Sequence, residues 1–309
     1  MTSIYNYYKK NKKQLLFNIF FILIIILFIV FIIFYVKYYQ ENFKEYNNLE
    51  EFSNNSNNSN NNNNNINYTD SNTYSNTDSN TNSNTGSDNI PKTIYLCYKH
   101  KQIPEYIIPN WKKLNPNYNI ILYDNNDCIN FLNEYYGKEY VNIFNFIKDG
   151  PIKADFWRCC ILYKNGGVYA DIDTKPVMPI DNLLEKNLEL LTVRSGGQED
   201  GITPELIICK KNNELLDLCI KTYINYMNQK IPYSYWDWSI TTIMRNNIKL
   251  IVNDKIKKDK YIYLDKYNKK YKLIDEILDN NSYNDRVIYN NEIVLYNRYE
   301  GYNNDSHEF

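Results

Sequence analysis

The feature that most constrains this chain is an apolar run at residues 15–36, made almost entirely of Leu, Ile, Phe and Val. Asn18 and Tyr35 are its polar interruptions. As a helix with a rise of about 1.5 Å per residue, the run would extend about 33 Å, which is enough to cross the hydrocarbon core of a bilayer. No small-residue cleavage site follows it, so it predicts a transmembrane anchor rather than a cleaved signal peptide.

The charges that flank this run predict its orientation. Lysines at positions 9, 10, 12 and 13 precede it, whereas lysines and glutamates are interspersed after it. The positive-inside rule therefore places a tail at 1–14 in the cytosol and sends the remainder of the chain across the membrane. The sequence predicts a single-pass type II protein of the Golgi or ER, or of a host membrane if the chain is viral, with its main domain in the lumen.

Residues 37–89 form a stem that passes into a tract of Asn, Ser and Thr. Because it has few apolar side chains, this tract cannot offset its conformational entropy by burial, and we predict a disordered linker. Sequons at Asn54, Asn57 and Asn67 are glycosylation acceptors if this part is lumenal. From residue 90 the composition becomes globular, and 90–309 is long enough for one catalytic domain with a sizeable core.

Charge and metal-ligating residues narrow the kinds of function. A formal net charge of −1 argues against a polybasic nucleic-acid-binding protein. The 2 histidines are too few for a site built on several imidazoles, which leaves carboxylates as ligands for a hard metal ion. The 6 cysteines contain no C-x-x-C pair and predict no zinc ribbon or thioredoxin-type site. Buried thiols and a single disulfide both remain open.

Strand-like and helix-like segments alternate in the globular part. Apolar runs predict strands at 93–98, 119–123, 168–172, 188–193, 205–209, 261–264 and 292–295. Helices are predicted at 106–114, at 127–136 with Asp127 as its N-cap, and at 152–164, where Pro151 suits the first turn and Gly166 follows the end. This alternation predicts an α/β domain of the nucleotide-binding type.

The motif GGVYADID at residues 166–173 carries the most chemical information. On a strand, Asp171 and Asp173 would fall on one face, where two carboxylates repel each other unless a cation lies near them. Mn²⁺ or Mg²⁺ prefers such oxygen ligands and also binds phosphate oxygens, and a diphosphate leaving group needs its charge neutralised. An acid-x-acid triplet is also common at solvated strand ends, so the motif alone leaves both interpretations open.

The helix predicted just before this motif carries Asp155 and Arg158, which their spacing places on one face. A carboxylate and a guanidinium in this arrangement can bind hydroxyl and phosphate groups of a ligand. The alternative is an intrahelical ion pair on a solvated surface, which contributes little to stability.

Four segments resemble one known family, the DXD sugar-binding-region glycosyltransferases, which include mannosyltransferases: IPKTIY at 90–95, WKKLNP at 111–116, KADFWR at 153–158 and ILYKNGGVYADID at 161–173. The resemblance implies a GT-A fold with a mixed central sheet, a nucleotide-sugar donor and retention of anomeric configuration. It implies that the catalytic residues Asp171 and Asp173 bind Mn²⁺ or Mg²⁺. The expected reaction moves a hexose, with mannose from GDP-mannose favoured, to a glycan, glycolipid or glycoprotein acceptor.

The same resemblance implies donor-binding roles for individual residues. Asp155 and Arg158 would bind the donor sugar, and Asp171 would contact the donor's ribose, sugar or metal-bound water. Tyr98 stands where relatives often carry a Trp stacked on the nucleobase, and a tyrosine ring can stack in the same way.

An aromatic-acid-aromatic cluster at Trp236, Asp237 and Trp238 stands where this family often binds its acceptor. Tryptophan stacks on pyranose faces and a carboxylate binds sugar hydroxyls, so the cluster predicts an acceptor site. The alternative is two core tryptophans with Asp237 capping a turn.

The C-terminal third departs from the family pattern. Segment 296–303 lacks the His, Ser and Trp that close over metal and diphosphate in relatives, and His307 is either a late metal ligand or part of a frayed terminus. These departures keep open a second hypothesis, a catalytically silent protein that binds nucleotide sugars or glycans. A phosphotransferase is disfavoured, because the chain has no phosphate-cradling G-x-x-x-x-G-K-[ST] loop.

Overall fold

The computed structural model describes residues 89–307 apart from 199, 253–254, 258–259, 280–283 and 304–305. The predicted tail at 1–14, the anchor at 15–36 and nearly all of the linker at 37–89 lie outside the described residues. Within the described ranges, no helix is both long enough and apolar enough to cross a membrane.

A mixed sheet with strand order β2-β1-β3-β6-β5-β8-β9-β10-β4 forms the centre of the domain, and β7 pairs with β8 outside this path. The strands are β1 (Thr93–Cys97), β2 (Asn119–Tyr123), β3 (Gly167–Ala170), β4 (Lys175–Pro176), β5 (Leu188–Arg194), β6 (Leu206–Cys209), β7 (Ile262–Leu264), β8 (Lys270–Ile277), β9 (Arg286–Tyr289) and β10 (Glu292–Tyr296). The α-helices are α1 (Ile107–Leu114), α2 (Asn125–Tyr135), α3 (Lys138–Phe146), α4 (Gly150–Asn165), α5 (Glu214–Asn228), α6 (Tyr235–Trp238) and α7 (Ile240–Val252).

Hydrophobic side chains cover both faces of this sheet. Along β1, Ile94 and Leu96 pack in one buried cluster while Tyr95 and Cys97 pack in the other, as the alternation of side chains along a strand requires. Helices α2 to α7 contribute to the second cluster, and α1 contributes to the first. Helices on both faces of a mixed sheet confirm the predicted α/β class. The cysteines are all buried free thiols.

Two details of the predicted helices are settled by the structure. Helix α4 has Pro151 in its first turn and is capped at its C-terminus by Gly166, whose φ of 66° suits glycine. The predicted roles of Pro151 and Gly166 are therefore confirmed. The prediction of Asp127 as the N-cap of α2 is wrong. Asp124 is the cap and accepts from Asp127 N at 2.9 Å, while the Asp127 carboxylate accepts from Asp124 N at 3.2 Å. The acid three residues inside the helix therefore completes a capping box.

The pairing of three strands creates the edge at which the candidate site lies. Strand β1 runs parallel to β3, and β3 runs antiparallel to β6, with Ala170 opposite Leu206. The carboxyl ends of β1 and β3 therefore lie at the same edge as the start of β6. The residues that flank these strand ends are Tyr98, Asp171 and Glu205.

Candidate active site

A cavity of about 550 Å³ opens at this edge of the sheet. Most of the residues that the sequence predicts for the site line it, namely Tyr98, Asp155, Arg158, Asp171, Asp173 and Trp236. These residues come from the end of β1, from α4, from the segment after β3 and from helix α6, so the fold brings together groups that are far apart in the sequence.

Arg158 is the most heavily engaged side chain of the site. It is 4% exposed, and its Nη2 lies 2.9 Å from Asp155 Oδ1 and 3.0 Å from Asp171 Oδ1. Its Nη1 donates to the carbonyl of Pro204 at 2.7 Å, and its guanidinium carbon lies 4.2 Å from the ring centre of Tyr169. The alternative of a solvated intrahelical pair is therefore wrong, because this guanidinium is buried between two carboxylates.

Asp171 and Asp173 do not owe their position to strand alternation, and that part of the prediction is wrong. Strand β3 ends at Ala170, and the next residues form a turn in which the Thr174 N–H and hydroxyl both bond to the Asp171 carbonyl, at 3.1 and 2.6 Å. Asp171 N donates to the Glu205 carbonyl at 2.9 Å, which fixes the start of the turn to β6. Both acids still line the cavity.

The electrostatics of the two acids differ. Asp171 Oδ1 receives the Tyr169 hydroxyl at 2.9 Å in addition to Arg158. Burial, and then the nearby charge of Asp171, raises the pKa of Asp173 to about 7, although Arg298 and Arg158 act in the opposite direction. The ionised form of Asp173 thus has insufficient positive charge around it, which is the condition that a bound cation relieves.

The donor set fits a hard divalent cation that also contacts a ligand. In the part of the chain that the structure describes, no three His, Cys, Asp or Glu side chains group closely enough to hold a metal ion by themselves. Mg²⁺ and similar ions are commonly held by one or two carboxylates, with waters and substrate phosphates as the other ligands. Asp171 and Asp173 are the residues that would hold such an ion here.

Asp155 connects the guanidinium to a second helix. It is 6% exposed, and its Oδ2 accepts from Ile240 N, the first residue of α7, at 3.0 Å. Burial raises the pKa of Asp155 to about 6, while Arg158 and the Ile240 N–H act to lower it. The carboxylate therefore positions Arg158 against α7, and its predicted contact with a donor sugar stays a prediction.

Tyr98 directly follows β1 and lines the cavity. Its hydroxyl donates to the carbonyl of His307 at 3.5 Å, and its ring packs edge-on against His100. His307 lines the cavity, so this part of the C-terminal segment is not frayed away from the domain. His307 meets Tyr98 through its backbone carbonyl, and its role as a metal ligand stays a prediction.

The two tryptophans of the predicted acceptor cluster lie in different environments. Trp236 is 68% exposed and lines the cavity. Trp238 is fully buried, with its Nε1 donating to the Pro232 carbonyl at 3.2 Å, so its prediction as an acceptor-binding residue is wrong: α6 directs it into the core. Asp237 donates its N–H to Ser234 Oγ at the N-cap of α6 and stays a predicted acceptor contact only.

These two tryptophans give a matched pair of substitutions. Trp238→Ala is expected to lower the free energy of unfolding by about 3–5 kcal/mol, because it leaves a cavity in the core. Trp236→Ala is expected to change it by less than about 0.5 kcal/mol, because the ring is exposed. Urea unfolding of the two variants checks this. Equal destabilisation by both substitutions would contradict the assigned positions.

Tyr302 and Glu205, which the sequence analysis did not predict for the site, also line the cavity. Tyr302 is buried, and burial followed by the charges of Asp173 and Asp171 raises its pKa, so its hydroxyl stays protonated at neutral pH. Glu205 is buried, and burial followed by the charges of Glu276 and Asp171 raises its pKa well above its ordinary value. A lone acid at the start of an apolar strand was the available signal for Glu205. Tyr302 carried no signal of this kind.

Comparison with known proteins identifies the segment that carries most of these groups. Residues 104–189 match the family described as "Glycosyltransferase sugar-binding region containing DXD motif". The match covers this segment alone. It includes Asp155, Arg158, Asp171 and Asp173 and confirms the resemblance seen in the sequence. The matched segment does not extend to Tyr98, Glu205 or Trp236.

Three curated relatives are similar to part of the chain. The Candida albicans initiation-specific alpha-1,6-mannosyltransferase is 27% identical over 114 residues, which cover 34% of this chain and 30% of that protein. The Schizosaccharomyces pombe inositol phosphoceramide mannosyltransferase 1 is 31% identical over 105 residues, covering 32% of this chain and 33% of that protein. A putative glycosyltransferase of Saccharomyces cerevisiae is 39% identical over 82 residues, covering 25% and 20%. The chain thus spans a third or less of the length of these relatives.

Two solved structures also overlap part of the domain. The PaToxG glycosyltransferase overlaps with a TM-score of 0.41 and 16% identity, covering 52% of this chain and 68% of that one. The catalytic domain of alpha-toxin from Clostridium novyi overlaps with a TM-score of 0.30 and 13% identity, covering 53% and 64%.

Proposed function

We propose that this chain is a metal-dependent, retaining glycosyltransferase of the GT-A fold. It transfers a hexose, with mannose favoured, from a nucleotide sugar such as GDP-mannose to a glycan, glycolipid or glycoprotein acceptor. The observation that carries the proposal is the joint position of Arg158, Asp155, Asp171 and Asp173 at one cavity inside the DXD sugar-binding region.

The chemistry of the cavity suits a nucleotide sugar. Asp171 and Asp173 would hold Mn²⁺ or Mg²⁺, which when bound neutralises the negative charge of a diphosphate leaving group. Arg158 keeps Asp171 in place through an ion pair, and Lys99 and Lys153 add positive charge to the cavity lining. The protonated Tyr302 hydroxyl can donate a hydrogen bond to a phosphate oxygen.

Two aromatic rings in the cavity lining suit two parts of the reaction. Tyr98 offers an aromatic ring to a nucleobase, and the exposed Trp236 offers one to an acceptor sugar. We also propose that the chain is a type II membrane protein with this domain in the lumen of the Golgi or ER. That proposal depends on the apolar run at 15–36 and its flanking charges.

A donor screen tests the proposal. The full chain in detergent, supplied with Mn²⁺, is incubated with GDP-mannose, UDP-glucose or UDP-galactose, and release of the nucleoside diphosphate is followed with and without mannosyl acceptors. We expect turnover of at least one donor and its loss on adding excess chelator. Binding of a donor without turnover on any acceptor would instead favour the catalytically silent protein. Turnover that persists in chelator would exclude the metal role.

A further inference from the structure

Glu205 carries a polar atom that the domain itself does not satisfy. The residue directly precedes β6, lines the cavity and is 6% exposed. Its Oε1 is buried and has no hydrogen-bond partner among the described residues. A buried carboxyl oxygen without a hydrogen-bond partner is unfavourable, and a ligand in the cavity can supply that partner.

The backbone around Glu205 is fixed to the predicted donor-binding residues. Arg158 Nη1 donates to the Pro204 carbonyl at 2.7 Å, and Asp171 N donates to the Glu205 carbonyl at 2.9 Å. These contacts hold the main chain, so the strand position does not depend on the carboxylate. The side chain of Glu205 is therefore held at a fixed position in the cavity lining, next to Arg158 and Asp171.

The strand order determines which part of a nucleotide sugar reaches Glu205. Strands β1, β3 and β6 are consecutive neighbours in the sheet, so Tyr98, Asp171 and Glu205 follow one another along its edge. Neighbouring strands lie about 4.8 Å apart. A nucleotide sugar is built in the order base, diphosphate and sugar. With the base at Tyr98 and the diphosphate at the two acids, the hexose lies beside the start of β6.

We propose that Glu205 Oε1 accepts a hydrogen bond from a hydroxyl group of the donor hexose, which makes Glu205 a residue that determines sugar specificity. This inference rests on the proposed function of the cavity. It adds a recognition point outside the sugar-binding region at 104–189. A site that hydrogen-bonds a hydroxyl discriminates strongly against ligands that lack it, because the buried oxygen is then left unpaired.

The test compares affinities for nucleotide sugars with affinities for the bare nucleotides. Titration calorimetry with Mn²⁺ is performed on the full chain and on Glu205→Met and Glu205→Ala, neither of which keeps an acceptor oxygen, with GDP-mannose, UDP-glucose, UDP-galactose, GDP and UDP as probes. We expect the native chain to bind one nucleotide sugar, and both variants to bind it at least about 10-fold more weakly. Affinity for the matching bare nucleotide should change by less than about twofold, because the base and diphosphate do not reach Glu205.

Glu189→Met provides the matched control. Glu189 is equally buried, at 6% exposed, but it lies on β5 and pairs with Lys210. Its substitution should leave both affinities unchanged. Glu205→Met, which has a similar length to glutamate, keeps the test valid if Glu205→Ala fails to fold, and thermal unfolding checks this.

The outcomes separate the inference from the proposed function. Unchanged nucleotide-sugar affinity in Glu205→Met overturns the inference alone. An equal loss for nucleotide sugar and bare nucleotide also overturns it, because the residue then acts on the metal or the diphosphate. A native chain that binds none of the probes overturns the proposed function and the inference together.

Discussion

Replacing Asp173 with asparagine is expected to lower the rate of sugar transfer by at least about 100-fold while the domain stays folded. Asparagine has nearly the same shape as aspartate but carries no charge, so it cannot balance a divalent cation at the diphosphate. Initial rates with the donor found in the screen check this. Asp181→Asn is the control, because Asp181 is a half-exposed acid that pairs with Lys92. Transfer by Asp173→Asn at the native rate would exclude a catalytic role for this carboxylate.

The same substitution is expected to stabilise the metal-free chain. The pKa of Asp173 is raised from 3.8 to about 7, mainly by burial and then by the charge of Asp171. Between these values the folded chain holds a proton that the unfolded chain has released, so the free energy of unfolding falls as pH rises through this window. Asparagine does not ionise, so Asp173→Asn does not lose stability as pH rises through this window. It should be more stable than the native chain by about 1–3 kcal/mol at pH 8 and equally stable near pH 3.

Urea unfolding in chelator at the two pH values measures this difference. A stability gain that does not depend on pH would mean that the effect has another cause than the ionisation of Asp173. A loss of stability at pH 8 would contradict the account of Asp173 as an unbalanced buried acid.

Replacing Arg158 with leucine is expected to lower the free energy of unfolding by about 3–5 kcal/mol, because it leaves two carboxylates without their buried counter-charge. Arg158 lies 2.9 Å from Asp155 and 3.0 Å from Asp171, and it is 4% exposed. The loss should be larger at pH 8 than at pH 5. Without the guanidinium, the pKa of Asp155, already raised to about 6, rises further, and ionised Asp155 becomes more unfavourable.

A surface pair and a double variant provide the controls for Arg158. Lys92→Ala breaks the exposed pair with Asp181, whose side chains are 48% exposed, and should cost about 0–1 kcal/mol. The double variant Arg158→Leu, Asp155→Leu should recover part of the loss, because one of the uncompensated charges is removed with its partner. If Arg158→Leu costs no more than Lys92→Ala, the buried ion cluster does not stabilise the domain.

The sequence predicted the centre of the site because its residues are close together in the chain. Helix α4, the glycines after it and the acids at 171 and 173 form one local unit with recognisable spacing. The glycines are required by geometry: a Cβ on Gly167, whose φ is 107°, would lie 2.8 Å from the Thr93 carbonyl of β1. The acids were placed correctly at the cavity, although a turn rather than strand alternation holds them there.

The parts that were missed depend on contacts between distant segments. Asp155 meets the start of α7, 85 residues away, and Glu205 meets the segment after β3 through strand pairing. The exposure of Trp236 and the burial of Trp238 depend on how the four-residue helix α6 packs on α5. Helix α7, ITTIMRNNIKLIV, is rich in β-branched residues, so its helical form is set by packing more than by propensity.

Titration of Mn²⁺ into the full chain in the presence of GDP, followed by calorimetry for the native protein and for Asp173→Asn, examines the metal-binding role of the acid pair most directly. We predict that the native chain binds Mn²⁺ and that Asp173→Asn binds it at least about 10-fold more weakly. Equal Mn²⁺ affinity in the two proteins would show that the carboxylates after β3 do not form a cation site.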